Sequence, residues 1–161
     1  KRQDQDRLYG IGYSLGSMFT YEIACQLNHR FAAVASFAGT MPVDPETCEL
    51  VGGMGVLHIH GKLDYIIDYD DDWDWKDGEH EGVGTMSNVP GMIEAWSMRA
   101  NCGSSDTDAD FFLEHITHSD CFGGARVEHY GIEFWEHTWP DEVDGTPTYQ
   151  LMWDFLSDFT N

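Results

Sequence analysis

A short turn bracketed by glycines, Gly-Tyr-Ser-Leu-Gly at 12–16, constrains the fold of this chain more than any other feature. Leu8–Ile11 before the turn is typical of a buried strand, and the apolar residues over 18–27 have helical spacing. Because Gly12 and Gly16 carry no Cβ, the chain can bend sharply and the helix can pack against the strand without collision. We therefore predict a strand, a tight elbow and a helix in this order.

The serine at the centre of the turn has the surroundings that nucleophilic catalysis requires. A strand-to-helix elbow holds Ser14 clear of the backbone, where a histidine can remove its proton. The first N–H groups of the following helix and its positive dipole end face developing negative charge. We predict Ser14 as a nucleophile and the N–H of Leu15 as an oxyanion donor.

The length and composition fit one globular domain. The chain has 161 residues, of which 42% are hydrophobic and 14% aromatic. It contains neither an apolar run of about 18 residues, as a membrane helix needs, nor a basic and apolar secretion leader. Because the first residue is Lys1 and the elbow comes so early, we expect upstream sequence to be missing. Residues 1–161 are then a single partial domain.

The charge excludes two classes of partner. Acidic residues number 29 against eight lysines and arginines, so the formal net charge is -21. Such a surface cannot neutralise the phosphates of a nucleic acid, and an anionic membrane repels it. At about 1 M salt its self-repulsion is largely screened. A protein from a saline habitat and an ordinary acidic secreted protein are both compatible with this charge.

The four cysteines favour disulfides over a metal knuckle, because no Cys-x-x-Cys spacing occurs. Three pairings are possible. The pairing of Cys25 with Cys48 and of Cys102 with Cys121 closes short local loops, each worth roughly 3 kcal/mol in the chain-entropy model. We predict these two disulfides and an extracellular location, with free buried thiols in a cytosolic protein as the alternative.

Two further apolar runs predict parallel strands. The first covers 30–39 and, after a loop rich in proline and glycine over 41–55, the second covers 56–61. The second run places Val56, His58 and His60 on one face and Leu57 and Ile59 on the other.

Two catalytic candidates follow predicted strands. Asp64 lies just past the strand over 56–61, and alternation over 125–134 predicts a strand at a half-exposed sheet edge that leads to His137. Since functional groups gather outside the carboxyl ends of parallel strands, both residues belong on the same rim as Ser14.

The remaining stretches predict two helices and one loop, without catalytic residues. Residues 87–101 predict a surface helix, and 148–159 predict a packing helix with an apolar stripe. The polar stretch over 103–120 predicts an irregular loop with exposed histidines, His115 and His118.

An acidic stretch over 68–81 resembles a calcium loop only in part. Asp68, Asp70 and Asp72 alternate as EF-hand ligands do, but the sixth position of that loop requires glycine and here holds Trp73. We predict a solvated acidic loop, with no metal site and no cofactor.

Ser14, Asp64 and His137 occur in the chain order of the α/β-hydrolase triad, each after a predicted strand. The chain resembles the C-terminal half of an α/β-hydrolase of the extracellular polyhydroxybutyrate depolymerase or feruloyl esterase type. The resemblance covers nearly the whole chain, and the stretches that carry it are 12–16, 31–35, 57–64, 96–102, 121–124 and 137–140.

This resemblance implies an α/β fold with a mostly parallel sheet flanked by helices, whose N-terminal strands are missing. It implies Ser14 as nucleophile, His137 as general base and then acid, Asp64 as the orienting carboxylate, and the two local disulfides. Aromatic residues precede His137 where the family has glycines, and the usual proline is replaced around Ile67. Asp68 is therefore the reserve acid.

The expected activity is that of a secreted serine carboxylic-ester hydrolase acting on a polyhydroxyalkanoate-type polyester. The alternatives are a feruloyl or acetylxylan esterase, an acyltransferase or serine peptidase of the same fold, and a non-catalytic binding domain. Tyr13, Trp135 and Trp139 are candidates for a substrate wall, with core filling as the alternative. The second oxyanion donor belongs to the missing strands, and losing one donor costs about 10²–10³ in turnover, so we expect poor activity from residues 1–161 alone.

Overall fold

The computed structural model describes residues 4–45, 48–74 and 84–161. In chain order its helices and strands are β1 (Tyr9–Tyr13), α1 (Leu15–Leu27), β2 (Ala33–Phe37), β3 (Gly55–Gly61), β4 (Trp73–Asp74), β5 (Thr85–Met86), α2 (Val89–Arg99), β6 (Ser104–Ala109), β7 (Leu113–Ser119), β8 (Val127–Ile132), β9 (Glu142–Val143), β10 (Thr146–Pro147) and α3 (Thr148–Ser157).

A central sheet organises the described chain. Its six strands lie in the order β1-β2-β3-β8-β7-β6, and the first four run parallel. β7 and β6 are antiparallel to their neighbours. The molecule is thus a mixed α/β fold with a mostly parallel sheet, as the sequence predicts.

Two predictions about the end of this sheet are wrong. The stretch over 103–120 is a hairpin of β6 and β7, not an irregular loop, and β8 lies between β3 and β7 rather than at an edge. His115 and His118 therefore belong to a strand. The ring of His115 stacks on Tyr130 with centroids 4.0 Å apart, and its Nε2 lies 3.1 Å from a carboxylate oxygen of Glu128.

Helices cover both faces of the sheet. Tyr21 of α1 and Trp96 of α2 pack with Val56 on one face, whereas Met152 and Leu156 of α3 belong to the core on the other. The two faces predicted for β3 are confirmed, because Leu57 and Ile59 lie in the α3 core.

α2 is more deeply packed than a surface helix. Met92, Ile93 and Trp96 are buried, and the side chain of Asn88 caps the helix by accepting from Gly91 N–H at 2.7 Å. The apolar stripe predicted for 148–159 is confirmed only in part: Met152, Leu156 and Phe159 are buried, whereas Tyr149 and Trp153 are exposed. No helix within the described ranges is long and apolar enough to cross a membrane.

Both predicted disulfides are confirmed. Cys25 at the C-terminal part of α1 is bonded to Cys48 in the loop before β3. Cys102 is bonded to Cys121, which ties together the two ends of the β6–β7 hairpin. The second disulfide closes a segment whose β6 side chains are exposed and supply no core.

Candidate active site

The elbow at Ser14 has a strained backbone. Ser14 follows β1 directly and has φ 56° and ψ -122°, a conformation that residues with a Cβ rarely adopt. Its N–H donates to the carbonyl of Phe37 at the end of β2, at 2.9 Å, and its carbonyl accepts from Ser17 N–H and Met18 N–H. These bonds hold the turn between the sheet and α1.

The two glycines of the turn differ in the space that surrounds them. A Cβ on Gly12 would collide with the backbone carbonyl of Gly16 and the hydroxyl of Thr20, whereas a Cβ on Gly16 would meet nothing within 4 Å. The steric role predicted for Gly16 is therefore wrong. A glycine that the motif does not include, Gly39, is needed instead, because its Cβ would collide with Ser17 and lie 2.9 Å from the Ser14 carbonyl oxygen.

Asp64 lies three residues past β3 with its side chain fully buried. Its Oδ1 accepts from Ile66 N–H and Ile67 N–H, both at 2.9 Å, and its Oδ2 lies 2.6 Å from His137 Nδ1 and 3.2 Å from His60 Nε2. Burial raises the pKa of this carboxyl, but the hydrogen bonds from these four groups outweigh it and hold the pKa below 3.8. Asp64 is an anion at neutral pH.

His137 joins this carboxylate to the serine. Its Nδ1 faces Asp64, and its Nε2 lies 2.8 Å from Ser14 Oγ. The loop that carries it lies against the end of β3, where Leu63 N–H donates to the Trp135 carbonyl at 2.9 Å. A Cβ on Gly61 would collide with that same carbonyl, so a glycine there permits the approach.

The reserve acid does not reach this site. Asp68 is exposed, and its Oδ1 accepts from the N–H groups of Asp70 and Asp71 at 3.0 Å. Asp72 accepts from Asn88 instead of turning toward its acidic neighbours. No group of three or more metal-ligating side chains occurs within 4–45, 48–74 and 84–161. Residues 75–81 of the predicted acidic loop lie outside the described residues.

The aromatic candidates support the histidine loop. The Tyr13 ring stacks on the His137 ring with centroids 5.5 Å apart, and its hydroxyl donates to the His137 carbonyl at 3.0 Å. Trp139 packs edge-on against Tyr13, and Trp135 Nε1 donates to the Thr138 carbonyl at 2.5 Å. All three rings are more than one third exposed, so each also presents a surface to solvent.

The N-terminus of α1 places a backbone donor beside Ser14. Leu15 is the first residue of this helix, so its N–H has no acceptor within the helix. The first turn contains no acidic residue that would oppose the positive end of the helix dipole. This N–H is adjacent in the chain to Ser14, as an oxyanion donor requires.

Three buried histidines near the site are not among the catalytic residues predicted from the sequence. His58 and His60 of β3 and His129 of β8 are almost completely buried. His60 Nε2 contacts Asp64 Oδ2, the same carboxylate oxygen that faces His137 Nδ1. Two features of the sequence could have indicated this contact. The alternation of β3 puts His60 on the same face as His58, and His60 precedes Asp64 by four residues.

The comparisons with known proteins point toward esterases. No protein-family model matches the chain. It is distantly similar to proteins named as esterases. NocK of Nocardia uniformis subsp. tsuyamanensis, named as an esterase, is 30% identical over 152 residues that include 86% of this chain. A bifunctional acetylxylan esterase/xylanase, XynS20E of Neocallimastix patriciarum, is 24% identical over 164 residues that include 98% of this chain.

This chain is short beside these relatives. The matched regions span 44% of NocK and 21% of XynS20E.

Proposed function

We propose that this chain carries the catalytic triad of a serine carboxylic-ester hydrolase with the C-terminal half of an α/β-hydrolase fold. Ser14 is the nucleophile, His137 the general base and acid, and Asp64 the orienting carboxylate. The observation that carries the proposal is the continuous pair of hydrogen bonds, Ser14 Oγ to His137 Nε2 at 2.8 Å and His137 Nδ1 to Asp64 Oδ2 at 2.6 Å.

Acylation begins at the serine hydroxyl. Ser14 Oγ attacks the ester carbonyl carbon while His137 Nε2 takes the hydroxyl proton. The carbonyl oxygen becomes negative and accepts from the N–H of Leu15 at the positive end of α1. The C–O bond to the alcohol then breaks, and the alcohol oxygen takes the proton from His137 Nε2. An acyl ester of Ser14 remains.

Deacylation repeats the same steps with water. His137 Nε2 removes a proton from a water molecule, whose oxygen attacks the acyl carbon. Ser14 Oγ leaves and takes the proton back, which frees the carboxylic acid. Throughout both halves, anionic Asp64 accepts from His137 Nδ1–H and stabilises the imidazolium that forms.

The first candidate substrate is a polyhydroxyalkanoate-type polyester. Exposed aromatic rings support it: Phe111 and Phe112 at the tip of the hairpin, and Phe134 after β8. Leu113 pairs with Ile132, so this tip lies at the carboxyl end of β8, on the rim that carries His137. These rings, together with Tyr13, Trp135 and Trp139, offer an apolar surface to an ester-rich chain.

The second candidate is an acetylated or feruloylated plant polysaccharide, such as acetylxylan. The similarity to a protein named as an acetylxylan esterase/xylanase favours it. Both candidates use the same triad and differ in the surface that holds the acyl and alcohol parts. The two disulfides favour secretion for either one, because such bonds persist in oxidising compartments.

The test is a burst experiment with the full-length protein, not with residues 1–161 alone, and a p-nitrophenyl ester of a short acid. We expect a burst of p-nitrophenol, labelling of Ser14 by an organophosphonate, and loss of both in Ser14→Ala. Ser105→Ala, a change of an exposed serine on β6, is the matched control and retains both signals. Turnover of polyhydroxybutyrate film, acetylxylan and methyl ferulate then separates the substrate classes. A folded protein whose Ser14 resists the organophosphonate and that cleaves none of these esters contradicts the proposal.

A further inference from the structure

Behind the triad, a line of polar contacts at hydrogen-bonding distance runs from Asp64 into the core. His60 Nε2 lies 3.2 Å from Asp64 Oδ2, and His60 Nδ1 lies 3.0 Å from His58 Nε2. His58 Nδ1 lies 2.7 Å from the Tyr21 hydroxyl on α1. The side chains of Asp64, His60, His58 and Tyr21 are all buried, so water is not available to replace any of these bonds.

The geometry leaves one direction for these bonds when the histidines are neutral. Among the described residues, His60 Nε2 faces only acceptors, Asp64 Oδ2 and the Ile67 carbonyl at 3.1 Å, so it must carry the proton. His60 Nδ1 is then a lone pair and accepts from His58 Nε2–H. By the same reasoning His58 Nδ1 accepts from the Tyr21 hydroxyl. Every donor in the line points toward Asp64.

The surroundings keep His58 and Tyr21 in this state. Burial, aided by the neighbouring His60 and His129, lowers the pKa of His58 well below its ordinary 6.5, so His58 is neutral. Burial also raises the pKa of Tyr21, whose hydroxyl stays protonated and also hydrogen-bonds Ser36. Around His60, Tyr69 of the loop after β3 packs edge-on, and Lys62 lies over the Tyr69 ring.

We propose that His60 is a positioning residue of the triad, held by His58 and Tyr21, which fixes Asp64 Oδ2 in line with His137 Nδ1. This inference rests on the proposed function. Oδ2 is shared between two imidazole donors, while Oδ1 is held by two backbone N–H groups, so the carboxylate has a partner in each direction it faces. A carboxylate held on four sides cannot rotate away when His137 becomes charged.

The neighbouring histidine supplies a matched control. His129 is as buried as His60 and stacks on His58, but its hydrogen bonds go to the Tyr69 hydroxyl at 2.8 Å and the His58 carbonyl at 3.2 Å. Neither of these bonds reaches Asp64 or His137. Replacing His129 therefore disturbs the same core without interrupting the line.

The first measurement uses the unaltered protein. Two-bond ¹H–¹⁵N spectra report which ring nitrogen of each histidine carries the proton. We expect His58 and His60 as Nε2–H tautomers and His129 as the Nδ1–H tautomer, because His129 Nδ1 faces a carbonyl. A proton on His60 Nδ1, or on His58 Nδ1, overturns the proposal whether or not the protein hydrolyses esters.

The second measurement is kinetic. His60→Phe should lower kcat about 10- to 100-fold with little change in KM, because misplacing a catalytic group raises the barrier without weakening substrate binding. His60→Gln, which keeps an N–H donor, should recover most of that loss, and His129→Phe should keep kcat within about threefold. Equal losses in His60→Phe and His129→Phe, or no rescue by glutamine, overturn the proposal. If Ser14 resists the organophosphonate in the unaltered protein, the proposed function fails instead.

Discussion

The glycine pair of the elbow is the clearest case in which a single residue decides the local fold. A motif that contains two glycines predicts that both are needed, but the backbone needs only one of them for steric reasons. Gly12 faces the first turn of α1, so a methyl group there pushes against backbone that cannot move without opening the elbow. Gly16 lies within α1, where alanine is a better helix former.

We therefore predict opposite effects of two otherwise identical substitutions. Gly12→Ala should lower the free energy of unfolding by more than about 2 kcal/mol, because the added methyl overlaps backbone atoms. Gly16→Ala should leave it unchanged or raise it by up to about 1 kcal/mol. Urea unfolding of both variants measures this difference. Similar destabilisation by both changes would contradict the collision assigned to Gly12.

At the scale of elements, β3 and β8 place neutral histidines in the middle of the sheet. His58 and His129 lie opposite one another in the register of these strands, and burial lowers the pKa of His129 to about 3. In the unfolded chain both have the ordinary pKa of about 6.5. The unfolded state therefore binds more protons than the folded state over the interval between these values, so the free energy of unfolding falls as the pH falls below about 6.5.

This linkage predicts that one substitution should make the dependence of stability on pH shallower. Between about pH 5.5 and 4, His129 is charged only in the unfolded chain and contributes roughly 1.4 kcal/mol per pH unit. His129→Gln removes this contribution and should reduce the slope by that amount. Other titrating groups contribute equally to both proteins and cancel in the comparison. Identical slopes in urea unfolding at several pH values would show that His129 is not held neutral by the fold.

The same elements show how far the sequence can predict the site. The close approach of Ser14, Asp64 and His137 is predictable because each follows a predicted strand, and parallel strands bring their carboxyl ends to one rim. The hairpin of β6 and β7 escapes prediction because most of its side chains are polar and all are partly or fully exposed, so it has no regular apolar period to detect. The contact between His60 and Asp64 is not predictable either, because periodicity assigns a side chain to one face of the sheet but does not identify its partner there.

At the scale of the whole molecule, the net charge of -21 is an electrostatic property that no single contact explains. Acidic groups that outnumber basic ones 29 to eight repel one another across the surface, and this repulsion is stronger in the compact state than in the expanded one. Salt screens it, since the Debye length falls from about 10 Å at 0.1 M to about 3 Å at 1 M.

We therefore predict that sodium chloride stabilises the folded protein at pH 7. Raising its concentration from 0.1 to 1 M should increase Tm by roughly 5 °C, which corresponds to about 1–2 kcal/mol for a domain of this size. The control is the same titration near pH 4.3, the isoelectric point expected from the sequence, where the net charge and hence the repulsion vanish. There the salt-dependent rise in Tm should be largely lost, even though protonation of His58 and His129 in the unfolded chain lowers Tm itself. A fall in Tm with salt at pH 7, or an equal rise at both pH values, would mean that surface repulsion does not limit the stability of this fold.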